Sequence, residues 1–165
     1  MTNLSKFIVL LCSLVVLSSC SKDDEVLNDT SQELVAEINL KNDTAFMLEV
    51  MDEVNAYRQS VGLSSLKLCT KGESKAVEHS YYMVEDGTIS HDRFFERSDY
   101  LKARGAKRVS ENVAFGYRSA KSVVEAWINS PSHKEAMEGD FSHTGIGVTY
   151  NEHGVPFYTQ LFVKY

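Results

Sequence analysis

Apolar side chains after residue 42 recur mostly at steps of three and four residues, which is the period of an α-helix. Each run follows a residue suited to a helix N-terminus and ends at a glycine or before a proline. The pattern predicts four helices, with approximate spans Asp43–Gly62, Lys71–Asp86, Arg93–Arg104 and Ser119–Ile128, the last of them ended by Pro131.

Two of these helices carry start signals. Thr70, followed three residues later by Glu73, has the form of a capping box, in which two side chains bond each other's backbone amides. Asp92 is the predicted N-cap of the third helix, and Gly105 is its predicted terminator. The arginine-rich face of this third helix is expected to lie in solvent.

Alternating apolar positions, the period of a half-buried strand, occupy other segments. They predict strands at Val109–Phe115, Ile146–Tyr150 and Phe157–Val163, with the last two joined through Asn151–Gly154 as an antiparallel hairpin. Helices around a small antiparallel sheet make an α+β domain of about 120 residues, which can bury a core without covalent cross-links.

The N-terminal part of the chain has a different character. Phe7–Leu17 is apolar but too short to span a bilayer of about 30 Å, and Leu17-Ser18-Ser19-Cys20 looks like a bacterial lipobox. An ordinary signal peptide is the alternative. We therefore expect a lipoprotein signal peptide (1–19), a lipidated Cys20 with a flexible acidic tether (20–42), and a folded domain (43–165).

This division predicts a protein of the cell envelope, attached to the outer membrane through the lipid on Cys20. Ser21–Glu25 resembles the Lys-acid-acid signal of lipoproteins displayed at the cell surface. A solvated linker would have the same composition, so both interpretations of this segment stay open.

Composition excludes several classes of function. The chain has 165 residues, 43% of them hydrophobic, which suffices for one domain and hardly for two. A net charge of −6 argues against nucleic acid as a partner, because binding to phosphates depends on clustered cations. Three cysteines without a C-x-x-C pair exclude a disulfide scaffold and a zinc ribbon, and Cys69 is expected to be a buried small hydrophobe.

The short motifs that announce a catalytic mechanism are missing from the sequence: there is no Walker loop, G-x-S-x-G, H-E-x-x-H or G-x-G-x-x-G. Polar residues gather instead at or near the ends of predicted elements, in Ser90-His91, Ser110-Glu111-Asn112 and Ser130-Pro131-Ser132-His133. Binding and catalytic residues are often found at such places.

These residues belong to a larger pattern of six segments: Ala76–Met83, Ile89–Asp92, Ser110–Gly116, Trp127–Lys134, Gly145–Val148 and Tyr158–Phe162. In this order and spacing the segments resemble the CAP superfamily in its bacterial form, the SCP domain shared with cysteine-rich secretory proteins, antigen 5 and plant pathogenesis-related class-1 proteins. The resemblance covers nearly all of residues 45–165 and implies a three-layer αβα sandwich.

The resemblance also implies a cleft lined by two histidines and two acidic residues. The matching positions are His91, Glu111 and His133, whereas Ser130 stands where eukaryotic relatives have the second acidic residue. Imidazoles and a carboxylate are suitable ligands for Zn²⁺, and a catalytic site would keep a fourth position for water. A polar cleft that pairs its own side chains is the alternative.

Three more polar residues have predicted places. Gln160 matches the family's strand position and is expected to line the cleft, with plain strand packing as the alternative. His143 is expected at the cleft's edge, with a role in a turn as the alternative. His79 lies mid-helix and is expected to be a packed structural residue.

Three functions follow as hypotheses. The first is an envelope-anchored binding module that engages a lipid, a glycan or another protein through the His/Glu cleft. The second is a metal-dependent hydrolase or protease in which His91 and His133 hold zinc and Glu111 is a ligand or general base. The third is a purely structural role in the envelope.

Overall fold

The computed structural model describes residues 42–165, so the signal peptide, Cys20 and nearly all of the tether lie outside the described residues. The elements are α1 (Thr44–Ser60), β1 (Lys67–Leu68), α2 (Thr70–Asp86), α3 (Phe94–Lys102), β2 (Arg108–Phe115), α4 (Ala120–Ile128), α5 (Pro131–Glu138), β3 (His143–Tyr150) and β4 (Pro156–Lys164). No helix within this part of the chain is both long and apolar enough to cross a bilayer.

The four strands form one sheet in the order β1-β3-β4-β2. The predicted hairpin is present as β3 and β4, and β4 also pairs antiparallel with β2, from Arg108 opposite Lys164 to Phe115 opposite Phe157. The two-residue β1, which the hydrophobic pattern does not predict, runs parallel to β3. The sheet is therefore mixed, with one short parallel pair at its edge.

Helices cover both faces of the sheet, which confirms the α+β sandwich. On one face, α1, α4 and α5 pack with the sheet around the fully buried Trp127 in the largest core cluster. On the other face, α2 and α3 contribute Ala76 and Leu101, which pack against Leu161 and Val163 of β4. Successive residues of a strand thus serve two separate cores.

Two glycines in β3 let α2 lie directly on the sheet. A Cβ atom at Gly145 would lie 2.1 Å from the backbone nitrogen of Glu73, and one at Gly147 would lie 2.5 Å from that of Val77. Any side chain at either position would push the helix away. The motif Gly145-Ile146-Gly147 therefore fixes the distance between α2 and β3.

The N-terminal helix caps differ from the prediction. The N-cap of α2 is Cys69 rather than Thr70, and its Sγ accepts a hydrogen bond from the amide of Gly72. Glu73 does not close a capping box, because its carboxylate accepts instead from the side chain of Asn42 at 3.0 Å. Asn42 was assigned to the tether, yet it is buried and also bonds Ile146 and Val148 of β3.

Two other helix boundaries also differ. Asp92 is not the N-cap of α3; that position belongs to Arg93, which has a φ of 57° and provides no side-chain cap. Pro131 follows the end of α4 but also opens α5, which the hydrophobic pattern missed. Proline at a first helical position leaves no amide unpaired, so the residue that ends one helix can begin another.

Candidate functional site

Glu111 lies at the centre of the site and is paired with a buried arginine. It points from β2 toward the layer of α2 and α3, and only 2% of its side chain is exposed. Arg97 of α3 donates from Nε to Oε2 and from Nη2 to Oε1, both at 2.8 Å. The expectation that the arginine-rich face of α3 is solvated is therefore wrong for Arg97, because a buried carboxylate needs a buried counter-charge.

His91 is the second partner of Glu111. Its Nδ1 lies 2.9 Å from Oε1, and 54% of its side chain is exposed to solvent. A carboxylate only accepts hydrogen bonds, so Nδ1 carries the proton in this contact. In the neutral ring, Nε2 is then an acceptor available to a ligand.

The backbone on either side of His91 is held in place. His79 approaches the carbonyl of Ser90 with its Nε2 at 2.7 Å, and Arg97 donates from Nη1 to the carbonyl of Asp92 at 2.7 Å. Tyr82 donates its hydroxyl to the carboxylate of Asp92. His79 is buried, as expected of a structural residue, and one arginine fixes both the loop and the carboxylate that orients His91.

These contacts set the protonation state of the site. Burial acts to raise the pKa of Glu111, but the hydrogen bonds from His91 and Arg97 and the charge of Arg97 bring it below its ordinary value. Burial lowers the pKa of His79, partly offset by its bond to the Ser90 carbonyl. Glu111 is therefore ionised and His79 is neutral near pH 7.

His133 lies on the opposite face of the sheet from the Glu111 side chain. It lies in the first turn of α5, and its backbone carbonyl accepts from Nδ2 of Asn112 at 3.0 Å. Because Glu111 and Asn112 are consecutive in β2, they point to opposite faces. Burial lowers the pKa of His133, and the charge of His91 lowers it further.

Of the other predicted cleft residues, Ser130 and Gln160 lie on the His133 side of the sheet, whereas His143 lies elsewhere. Ser130 is the N-cap of α5, three residues before His133, and makes no side-chain cap bond. Gln160 is fully buried in β4 opposite Asn112 and donates to Thr144 Oγ1 at 3.1 Å, so it lies beneath the His133 side of the site. The structure does not bring His143 to the site: it contacts Ser142 and the ring of Tyr165, and β4 separates its strand from β2.

Two buried amide oxygens near this site have no partner. Among residues 42–165, only Oδ1 of Asn112 and Oε1 of Gln160 are buried side-chain polar atoms without a hydrogen bond. Neither Asn112 nor Arg97 has a role predicted from the sequence. Asn112 could have been found, since it adjoins Glu111 in the Ser-Glu-Asn motif, but no sequence signal links Arg97 to a strand 14 residues away.

The donor set does not fit the zinc site expected from His91, Glu111 and His133. Within the described part of the chain, no three His, Cys, Asp or Glu side chains are arranged to hold a metal ion. Both carboxylate oxygens of Glu111 accept hydrogen bonds, and the guanidinium of Arg97 lies where a cation would be repelled. Only the two imidazoles remain, fewer than the three protein ligands of an open zinc site.

Comparisons with known proteins agree with this fold. A family model described as the cysteine-rich secretory protein (CAP) family matches residues 51–162. The uncharacterized membrane protein YlbC of Bacillus subtilis is 30% identical over an alignment of 121 residues, and the match covers 70% of this chain and 34% of that protein. The chain therefore spans about a third of the length of this curated relative.

Two solved structures extend the comparison. An outer surface protein from Borrelia burgdorferi has a TM-score of 0.67 and 29% identity, and the match covers 75% of this chain and 96% of that one. An extracellular protein containing an SCP domain from Bacillus anthracis has a TM-score of 0.65 and 25% identity, covering 74% of this chain and 41% of that one.

Proposed function

The chain belongs to the cysteine-rich secretory protein (CAP) family, and on this premise we propose that it is an envelope-anchored binding module. Its ligand would be held between His91 and His133, at the outer edge of β2. The observation that carries this proposal is the state of Glu111, whose two carboxylate oxygens are both engaged by the protein's own side chains.

The environment of Glu111 does not suit it to act as the general base of a hydrolase. A general base needs a free lone pair near the water it activates and a pKa near the working pH. Glu111 is buried, its pKa is lowered, and its charge is balanced by Arg97. The carboxylate is thus suited to orient His91 and poorly suited to remove a proton from water.

The two imidazoles are suited to bind a polar, uncharged group. His133 is neutral near pH 7 because its pKa is lowered, so its ring offers one donor and one acceptor. No hydrogen bond within residues 42–165 engages this ring. His91 offers Nε2 on the other side of the cleft. A ligand presenting both a donor and an acceptor would match this pair.

Histidine NMR of the full-length chain in detergent micelles tests this proposal. We would record the ring signals of His91 and His133 while adding oligosaccharides, phospholipid and synthetic peptides in turn. Binding should shift both signals, and His91→Ala and His133→Ala should each weaken it about tenfold or more. His153→Ala, on the exposed turn between β3 and β4, is the matched control and should leave binding unchanged.

Two results would contradict the proposal. One is a set of ligands that all leave the His91 and His133 signals unmoved. The other is chelator-sensitive turnover of casein or ester substrates that Glu111→Gln abolishes, which would establish the hydrolase instead.

The anchoring part of the proposal rests on Leu17-Ser18-Ser19-Cys20, where an acyl chain on Cys20 would hold the protein at the outer membrane. The relatives described as a membrane protein, an outer surface protein and an extracellular protein support a location outside the cytoplasm. Cys20→Ala should move the protein from the membrane fraction to the soluble or unprocessed form. Cys12→Ala, inside the apolar run, is the control and should remain in the membrane fraction.

A further inference from the structure

The outer edge of β2 is unpaired within residues 42–165, because β2 is the last strand in the order β1-β3-β4-β2. The amide of Gly116 bonds Pro156 of β4 at 2.9 Å, and antiparallel pairing alternates along a strand. The even-numbered residues of β2 therefore direct their backbone groups toward β4, and the odd-numbered residues direct theirs outward. Trp127 confirms this phase, since its Nε1 donates from outside the sheet to the carbonyl of Val113.

Two residues of this edge keep free backbone groups beside the candidate site. Val109 and Glu111 direct an N–H and a C=O outward, and neither residue's backbone has a partner at that edge in the described part of the chain. Only 2% of the Glu111 side chain but 8% of the whole residue is exposed, so most of the surface that Glu111 presents to solvent belongs to its backbone. Unpaired N–H and C=O groups along a sheet edge can pair with the backbone of another extended chain.

A groove runs along this edge. Its volume is about 400 Å³, and it is lined by Arg108, Val109 and Ser110 of β2 and by residues of α5, among them Ser132 and Glu135. His133 adjoins Ser132 in α5, so the groove lies next to the helical turn that carries His133. Trp127 closes the edge at Val113, which limits an added strand to the stretch from Arg108 to Asn112.

We propose that this edge binds an extended segment of a partner polypeptide, which pairs with Val109 and Glu111 as an added strand and passes between His91 and His133. The backbone donors and acceptors at these residues repeat every second residue, about 7 Å apart. Another extended backbone presents complementary groups at the same interval, whereas a lipid chain has none. The inference rests on the proposed function, since it names the class of ligand for the same cleft.

The groove is lined by one cation, Arg108, and one anion, Glu135. We therefore do not expect it to distinguish partner segments by their net charge. Recognition would come from the backbone and from side chains that alternate between the groove and solvent. We therefore expect the groove to bind segments of many different sequences, provided that none of their residues prevents an extended conformation.

The test uses a displayed library of random 12-residue peptides, selected against the full-length chain in detergent micelles. The most enriched peptide would be synthesised and its affinity measured for the unaltered chain and for Val109→Pro and Val109→Ala. Proline removes the outward N–H without touching the bonds to β4, because that N–H faces away from the sheet. Alanine removes the same side chain but keeps the N–H, which makes it the matched control.

Because both variants lose the valine side chain and only proline loses the N–H, we expect Val109→Pro to bind the peptide about tenfold or more weakly than Val109→Ala does. Peptide binding should also protect the amides of Val109 and Glu111 from hydrogen exchange. Thermal unfolding of both variants would verify that they are folded, and the protection pattern in the unaltered chain provides a test independent of the proline.

The failures of the two proposals are distinguishable. If peptides bind and His91→Ala weakens them, but Val109→Pro and the two amides respond no differently from controls, the added strand is wrong and the binding cleft stands. If no peptide is enriched while an oligosaccharide or phospholipid shifts the histidine signals, the polypeptide partner is wrong and the binding cleft again stands. If the enriched peptide is indifferent to all these variants, it binds elsewhere and the added strand is also wrong.

Discussion

The two sides of β2 hold their polar groups in opposite ways. Toward α2 and α3, the Glu111 carboxylate accepts from Arg97 and His91, and Arg97 also fixes the loop that carries His91. Toward α5, Asn112 and Gln160 each donate one hydrogen bond but leave a buried oxygen without a partner. Both sides are buried, so they differ in whether their buried polar atoms have hydrogen-bond partners. We call the Glu111 side the paired side and the side of Asn112 and Gln160 the unpaired side.

This difference teaches how the cleft is built. The Glu111 carboxylate, paired with Arg97, orients the ring of His91, whereas His133 contacts Asn112 through its backbone carbonyl and its ring has no hydrogen bond within residues 42–165. The His91 side of the cleft is a preorganised wall, whereas on the other side the imidazole of His133 is free to adjust to a ligand. A binding site gains specificity from the fixed wall and tolerance from the adjustable one.

The largest effect should come from removing the cation of the paired side. Arg97→Met leaves the Glu111 carboxylate buried without a counter-charge, which should lower the free energy of unfolding by about 3–5 kcal/mol. Urea unfolding measures this loss. Arg104→Met, which removes an exposed arginine of the same region, is the control and should cost less than about 1 kcal/mol.

The double variant Arg97→Met with Glu111→Leu sharpens this prediction. It removes both charges together and should recover most of the stability, because no ion is left uncompensated. A single Arg97→Met variant as stable as the unaltered chain would mean that Glu111 is solvated, and the contrast between the two sides would then disappear.

Sequence and structure agree where a local pattern was enough. The helical period found α1 and α2, the alternation found β2, β3 and β4, and the six segments identified the family. Missed features depend on partners distant in sequence. The two-residue β1 exists only because β3 accepts it, and α5 is too short and polar for its period to be visible.

The same reason explains what was missed at the site. The sequence supplied His91, Glu111 and His133, but it could not show that Arg97 neutralises Glu111, since a helix and a strand bring them together. His143, which precedes the Gly145-Ile146-Gly147 motif, was also expected at the cleft's edge, with a role in a turn as the alternative. The strand order, which no single segment encodes, places β4 between His143 and β2.

The pH dependence of stability is the next largest test of the paired side. The pKa of Glu111 is lower in the folded chain than its ordinary value of 4.5, so the unfolded chain binds this proton more readily. The stabilisation is therefore fully present above about pH 4.5 and is lost as the pH falls through the folded value. Urea unfolding at several pH values should show this loss.

Glu111→Gln removes this titration and should flatten the acid limb of the stability curve, although the variant is less stable throughout because Arg97 stays buried. Glu152→Gln, in the exposed turn, is the control and should keep the slope of the unaltered chain. An unchanged slope in Glu111→Gln would show that Glu111 has the same pKa in both states.

A smaller effect is expected on the unpaired side, from two neighbouring residues of β4 that are both fully buried. Thr159 faces the paired side and bonds Ser80 at 2.9 Å, whereas Gln160 faces the unpaired side. Thr159→Val should lower the free energy of unfolding by about 1 kcal/mol, because it removes a satisfied hydrogen bond. Gln160→Leu loses one bond but also removes an unsatisfied oxygen, so its stability should stay within about 1 kcal/mol of the unaltered chain.

Denaturant unfolding of the two variants measures the contrast directly. A loss of about 3 kcal/mol or more in Gln160→Leu would mean that its amide oxygen is satisfied in solution, for example by a buried water, and would remove the asymmetry between the two sides.

The smallest expected effect is no change in zinc affinity when the paired side is altered. Glu111 is held by Arg97 and His91, so it should not join any Zn²⁺ that meets the two imidazoles. Calorimetric titration of the metal-stripped chain should therefore give the same affinity for the unaltered protein and for Glu111→Gln, and two imidazoles alone should bind zinc more weakly than a site with three protein ligands. His133→Ala is the positive control and should remove whatever cleft binding exists. Micromolar binding that Glu111→Gln abolishes would show that zinc displaces Arg97 from the carboxylate, and the fixed wall of the cleft would then be an adjustable one.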